Sequence, residues 1–248
     1  MATAVATTAK PDYPFYAGIP AAISGRRWLV VIAACAVAFV QLIAVPNPTP
    51  LVHWIQVIAF PVIPLAALAW AAPRGWTAVF RRVRPRDVLL MIGFAILNVV
   101  VTAGIAIAVS QVADTAANPA GEAIQGMGNG DRVMTLLATI PQLIGEELIT
   151  ILPLLAILSV LVRKLCWSRR AALLTAWVAT AVMFGALHLP TYDWNIVQCL
   201  VVIGSARLIL SLAYMVTKNV WVSAGAHIIN DWVLFLSPVV LGGAALIV

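Results

Sequence analysis

No Asp, Glu, Lys or Arg occurs between Arg27 and Arg74, between Asp87 and Asp114, or between Arg170 and Asp193. A helix crosses the hydrocarbon core of a bilayer with about 20 mostly apolar residues, and each of these stretches is long enough to do so. Backbone in lipid must satisfy its own hydrogen bonds, so such stretches fold as helices. The chain is 63% hydrophobic and 10% charged, whereas soluble domains are roughly half apolar and a quarter charged. The expected fold class is all-α: a polytopic membrane helical bundle with seven spans plus a possible short eighth helix, forming a single membrane domain over 1–248.

Punctuation along the chain sets the expected spans at 27–45, 51–72, 88–112, 132–161, 171–189, 194–217 and 219–236. Pro46-Asn47-Pro48 ends the first, and Pro61 and Pro64 predict a kink in the second. The tail at 237–248 is apolar but short. The N-terminal segment 1–26 is too polar for a secretory signal and reads as a cytoplasmic lead into an uncleaved first helix. The connections at 73–87 and 162–170 are basic, and that at 113–131 is Gly-rich and acidic. With the N-terminus in the cytoplasm, all of the 15 Lys and Arg except Arg132 and Arg207 fall on the cytoplasmic side, as the positive-inside rule requires. The net charge of +6 therefore belongs to loops and does not point to nucleic acid. Cys35, Cys166 and Cys199 have no spacing that suggests a disulfide framework or a zinc knuckle. The short, Ala-rich chain with terse loops suggests a bacterial plasma membrane.

An ionisable side chain within a span costs about 2.5–3.5 kcal/mol on insertion scales and so faces a cavity or a partner. Glu146, Glu147, His188, Arg207, His227 and Asp231 all fall there. His227 and Asp231 are four residues apart and share a helix face, with Asn230 nearly in line. Glu146 and Glu147 differ by about 100° around their helix, so only one can aim at a cavity while the other bonds sideways. A lone intramembrane His is often a helix–helix partner, and His53, near a helix start, fits that role. Several such groups on three spans, short of basic partners, point instead to one functional chamber.

A carboxylate and a neutral imidazole facing one water can take its proton during attack on a carbonyl. A second His and an Asx side chain could donate to the oxyanion. Ser205 and Ser223 lie in spans, but no serine or cysteine stands out as a nucleophile, and a water-activating hydrolase fits better. Zinc held by His188, His227 and a Glu is the competing arrangement. It ranks lower because the sequence contains no HExxH pair.

The pair Glu146-Glu147, FGALH at 184–188 and NVWVSAGAHIIND at 219–231 resemble the three motifs of the CAAX-protease and bacteriocin-processing (CPBP/Abi) intramembrane peptidases. The resemblance covers about residues 130–235. It implies a metal-free glutamic endopeptidase without a cofactor. Glu146 and His188 would activate the water, Glu147 would orient them, and His227 and Asp231 would form or brace the oxyanion site. Arg207, Asn230 and Phe184 would support the site, although Phe184 also reads as plain packing. Two positions depart from the family pattern. Ile151 stands where the family has Arg, a role Arg207 could assume, and Asp231 replaces Asn. An ionised Asp accepts hydrogen bonds and cannot donate one, which leaves Asp231 either protonated or orienting His227.

The expected function is hydrolysis of a peptide bond in a membrane-associated peptide or protein, with that substrate and the lipid bilayer as partners. The alternatives are a non-catalytic membrane adaptor or immunity protein of the same family, favoured by Ile151, and a small proton-coupled transporter. One tension accompanies the reading. His188 lies farther from its basic loop than His227 does, by roughly 13 Å at the helical rise. The fifth span should therefore begin late, tilt or break.

Overall fold

The computed structural model describes residues 12–240. Among them are eight α-helices: α1 (Gly25–Ala44), α2 (Pro50–Ala71), α3 (Pro85–Ser110), α4 (Pro119–Gln125), α5 (Asn129–Arg163), α6 (Arg169–Leu187), α7 (Gly204–Thr217) and α8 (Val220–Val240). A π-helical segment, Gln198–Ile203, runs directly into α7. Seven of these elements are long and apolar enough to cross a membrane, and no strand occurs among the described residues. The chain is an integral membrane protein. The seven spans match the expected ones to within a few residues, and the short additional helix, α4, lies in the 113–131 connection. The apolar tail expected to form a short helix begins inside α8, and its last residues, 241–248, fall outside the described residues.

Local chemistry sets the helix ends. Ser24, Thr49 and Ser168 accept from the backbone N–H three residues on, at 3.3 Å each, which satisfies a donor that the helix start leaves unpaired. Prolines open α2 and α3, where a missing N–H costs nothing. α2 continues through Pro61 and Pro64, and α5 through Pro141 and Pro153. α6 stops at Leu187 because Pro190 disfavours helical backbone before it.

α5 is the axis of the bundle: 78% of its spanning window is buried, against 17% for α3. It packs on α1, α2, α6 and α8, while α3 leans on α7 and α8. The main core surrounds its second half, with Leu148, Ile151, Leu152 and Leu155 fully buried against Phe60, Leu68, Ala172 and Ala176.

The tension in depth is resolved without a break in α6. From Glu147 to Arg163, α5 rises about 24 Å, whereas from Val220 to His227, α8 rises only about 10 Å. Glu147 and His227 are in contact, so the α7–α8 turn is recessed by more than 10 Å from the ends of α5 and α6, for helices running side by side. Two segments fill the recess. In residues 12–23, Tyr13, Phe15, Tyr16 and Ile23 are buried, and the Tyr13 hydroxyl donates to the Met215 carbonyl at 3.1 Å. After the 3₁₀ turn Trp76–Val79, Phe80 stacks on Trp221 with ring centroids 4.9 Å apart. Arg81 then donates from Nε to the Lys218 carbonyl and from its backbone N–H to Asn219 Oδ1, each at 3.0 Å. The part of the polar lead at 12–23 is therefore built into the core.

Candidate active site

The two glutamates of α5 diverge, as the helical step requires. Glu147 is fully buried. Its Oε1 lies 2.7 Å from Arg207 Nη1 on α7 and accepts from His227 Nδ1 on α8 at 3.0 Å. The Arg207 contact is an ion pair without hydrogen-bond alignment, and Arg207 Nη2 and Glu147 Oε2 have no hydrogen-bond partner among the described residues. The Arg207 guanidinium also donates from Nε to Ser211 Oγ at 3.2 Å and lies 5.0 Å from the centre of the Phe184 ring, a cation–π arrangement that substitutes for solvation. Ile151 is buried among apolar side chains, and the positive charge beside Glu147 comes from α7.

Glu146 faces a cavity of about 370 Å³, whose lining also includes His188, Arg207, His227, Asn230 and Asp231. Glu146 Oε1 accepts from Gln142 Nε2, one turn earlier, at 3.1 Å. Gly145 beside it lets α2 approach: a Cβ there would stand 2.3 Å from the Phe60 ring. On α8, His227 Nε2 points between Glu146 Oε2 at 3.9 Å and Asp231 Oδ1 at 3.6 Å, both beyond hydrogen-bond length.

His188 is the C-cap of α6, and its Nδ1 is 2.8 Å from the Phe184 carbonyl. A carbonyl only accepts, so Nδ1 carries the proton, and in the neutral imidazole Nε2 is the acceptor. Phe184 packs between the two imidazoles, with its ring centroid 4.5 Å from that of His188 and 6.3 Å from that of His227. The π-helical segment approaches α6 one turn before His188, backbone to backbone: a Cβ on Gly185 would lie 2.4 Å from the Cys199 carbonyl oxygen.

Residues 129–233 match the family model of the type II CAAX prenyl endopeptidase Rce1-like proteins. This segment belongs to the CAAX-protease family. The matched stretch opens with α5, ends within α8, and contains all three motifs. α1 to α4 lie outside the CAAX-protease match, and no curated protein and no solved structure matches the chain. The family is one of membrane proteases, which sets the coarse class of activity.

Two polar residues around this candidate site escaped the sequence reading. Asn98 is a buried amide in the middle of α3. Its Nδ2 donates to Asn230 Oδ1 at 2.9 Å, and Asn230 Nδ2 in turn donates to Asp231 Oδ1 at 2.9 Å. Its isolation in an apolar span was a signal. Gln142 lies four residues before Glu146, a spacing that was open to reading. Asn230, expected as an available oxyanion donor, uses one of its amide hydrogens on Asp231. His53 pairs with Asn47 across the α1–α2 connection, at 3.3 Å, rather than with another span. Ser223 donates to the Val220 carbonyl. Among the described residues no group of three His, Cys, Asp or Glu is arranged to hold a metal ion.

Proposed function

We propose that this protein is an intramembrane endopeptidase in which Glu146 and His188 activate a water molecule against a peptide carbonyl. The supporting observation is the asymmetry of the glutamate pair: Glu147 is tied to Arg207 and His227, while Glu146 faces the cavity that His188 also lines. A water between the Glu146 carboxylate and His188 Nε2 offers one proton to each and directs its lone pair at the scissile carbon. Glu146 takes a proton as the O–C bond forms. When the C–N bond breaks, that proton passes to the leaving amine. Glu147 acts by holding His227, and Arg207 holds Glu147, the role the family assigns to an arginine at the position of Ile151. Asp231 accepts from Asn230 and stands beside His227, which suits it to orient the imidazole.

The substrate is a peptide or membrane-protein segment entering a cavity whose walls combine carboxylates with Phe39, Leu42, Phe60 and Leu187. A leader peptide, a bacteriocin-like peptide or a membrane-protein tail fits, and a prenylated CAAX tail is the substrate that the family's name suggests. The reaction is metal-free and the setting a bacterial plasma membrane with the N-terminus inside. The test is cleavage of a peptide library by purified protein in lipid. Glu146→Ala and His188→Ala each abolish cleavage, and a chelator leaves the wild type unaffected. Wild-type protein without any cleavage would favour the adaptor reading instead, and loss on chelation would favour zinc.

A further inference from the structure

Hydrolysis through Glu146 needs a donor for the negative oxygen of the tetrahedral intermediate, and the donors around the cavity are largely engaged. Asn230 Nδ2 donates to Asp231, and His188 Nδ1 faces the Phe184 carbonyl. Arg207 Nη1 is paired with Glu147, its Nη2 is a charged donor without a hydrogen-bond partner among the described residues, and Asp231 serves as an acceptor. Tyr192 is different. It lines the same cavity as Glu146, His188, His227 and Asp231 and is only 3% exposed. No group among the described residues is hydrogen-bonded to its hydroxyl, which leaves that donor available to a ligand in the cavity.

The chain fixes this phenol relative to His188. Leu189–Tyr192 is a 3₁₀ turn directly after the imidazole, and the Tyr192 N–H donates to the His188 carbonyl at 3.2 Å. Asp193 and Trp194 then adopt left-handed backbone, with φ of 50° and 60°, and the Trp194 N–H closes onto the Leu189 carbonyl at 2.8 Å. Burial raises the phenol above its ordinary pKa of 10, and the charges of Asp231 and Glu146 raise it further. The hydroxyl thus keeps its proton throughout the neutral range.

We propose that Tyr192 is a further catalytic residue, donating its phenolic hydrogen bond to the oxyanion formed when water adds to the scissile carbonyl. The inference rests on the peptidase reading above. As the water oxygen bonds to carbon, the carbonyl π pair moves onto oxygen and accepts from Tyr192 Oη–H. When the C–N bond breaks, the pair returns to carbon, the amine leaves with the proton held by Glu146, and Tyr192 retains its own proton. A neutral donor with no internal partner stabilises the charge only as it develops.

The experiment compares wild type, Tyr192→Phe and Glu146→Gln in lipid on one cleavable peptide and on a peptidyl phosphonate that mimics the tetrahedral anion. The phenylalanine variant removes one oxygen atom and keeps the ring, so folding is preserved. Loss of one oxyanion donor lowers kcat by about 10²–10³-fold, with KM within about twofold and phosphonate affinity falling in step. Turnover by Tyr192→Phe within about twofold of wild type, or a rise in KM with kcat unchanged, overturns the assignment while Glu146→Gln remains inactive. A wild type that neither cleaves nor binds the phosphonate overturns the peptidase reading and this assignment together.

Discussion

At position 147 a buried carboxylate is held by an arginine and a histidine from two other helices, and one residue earlier a second carboxylate lines a cavity with a glutamine beside it. The two substitutions should therefore separate. Glu146→Gln abolishes detectable turnover, a loss of at least the about 10²–10⁴-fold that a general base supplies, and leaves the unfolding midpoint in detergent close to wild type. Arg207→Leu strands the Glu147 charge and costs about 3–5 kcal/mol of stability. Adding Glu147→Leu removes the stranded charge and recovers most of that loss, so a double-mutant cycle in denaturant shows strong coupling. Single losses that simply add would argue against the pair. Local spacing exposed His227 with Asp231 and the divergence of the glutamates. The Glu147–Arg207 pair joins residues on different helices; the arginine missing at Ile151 pointed to Arg207, but which glutamate it meets is visible only in the fold. Asn98 was missed for the same reason: its partner, Asn230, lies far along the chain on α8.

Helix boundaries were legible because hydropathy and proline position act locally. The burial of residues 12–23 was not, since a polar, Pro- and Gly-rich stretch has no apolar period to read. What buries it is the recess left by the α7–α8 turn, a tertiary fact. One consequence concerns pH. Burial opposes ionisation of Asp12, but bonds from Arg169, Tyr16 and the Tyr13 backbone outweigh it and hold the carboxyl below its ordinary 3.8. A depressed folded-state pKa adds stability above the unfolded value that is lost as pH falls through the folded one. Wild type should exceed Asp12→Asn in unfolding midpoint at pH 6, and the gap should begin to shrink as pH falls below about 3.8 and close only below the lowered folded-state value; an unchanged gap would refute the linkage. A second consequence lies at the contact between α6 and the π-helical segment. Gly185→Ala places a methyl against the Cys199 carbonyl, which backbone cannot yield easily. It should destabilise by about 1–3 kcal/mol and lower turnover by displacing His188, whereas Gly93→Ala, with open space at its Cβ, serves as a neutral control.

Over the whole molecule, α5 carries the paired acids through the centre of the bundle, and the basic connections gather at one end. The cavity lies toward the other end, lined by the last turn of α1, the start of α4 and the turn after α6. Cytoplasmic placement of the basic end is testable with the exposed Cys166. An impermeant thiol reagent on intact cells should leave Cys166 unlabelled. The same reagent should modify Ala117→Cys, at an exposed position just before α4, in a Cys166→Ser background; the reverse pattern would invert the orientation. The central claim is that Glu146, unlike its neighbour, is the base of a water-activating protease. Its most direct test is the pH-dependent single-turnover rate of peptide cleavage by purified wild type, Glu146→Gln and Glu146→Asp in lipid, with folding checked by unfolding midpoint. The account predicts no cleavage by folded Glu146→Gln and partial activity in Glu146→Asp. Wild-type rates from a folded Glu146→Gln protein would contradict it.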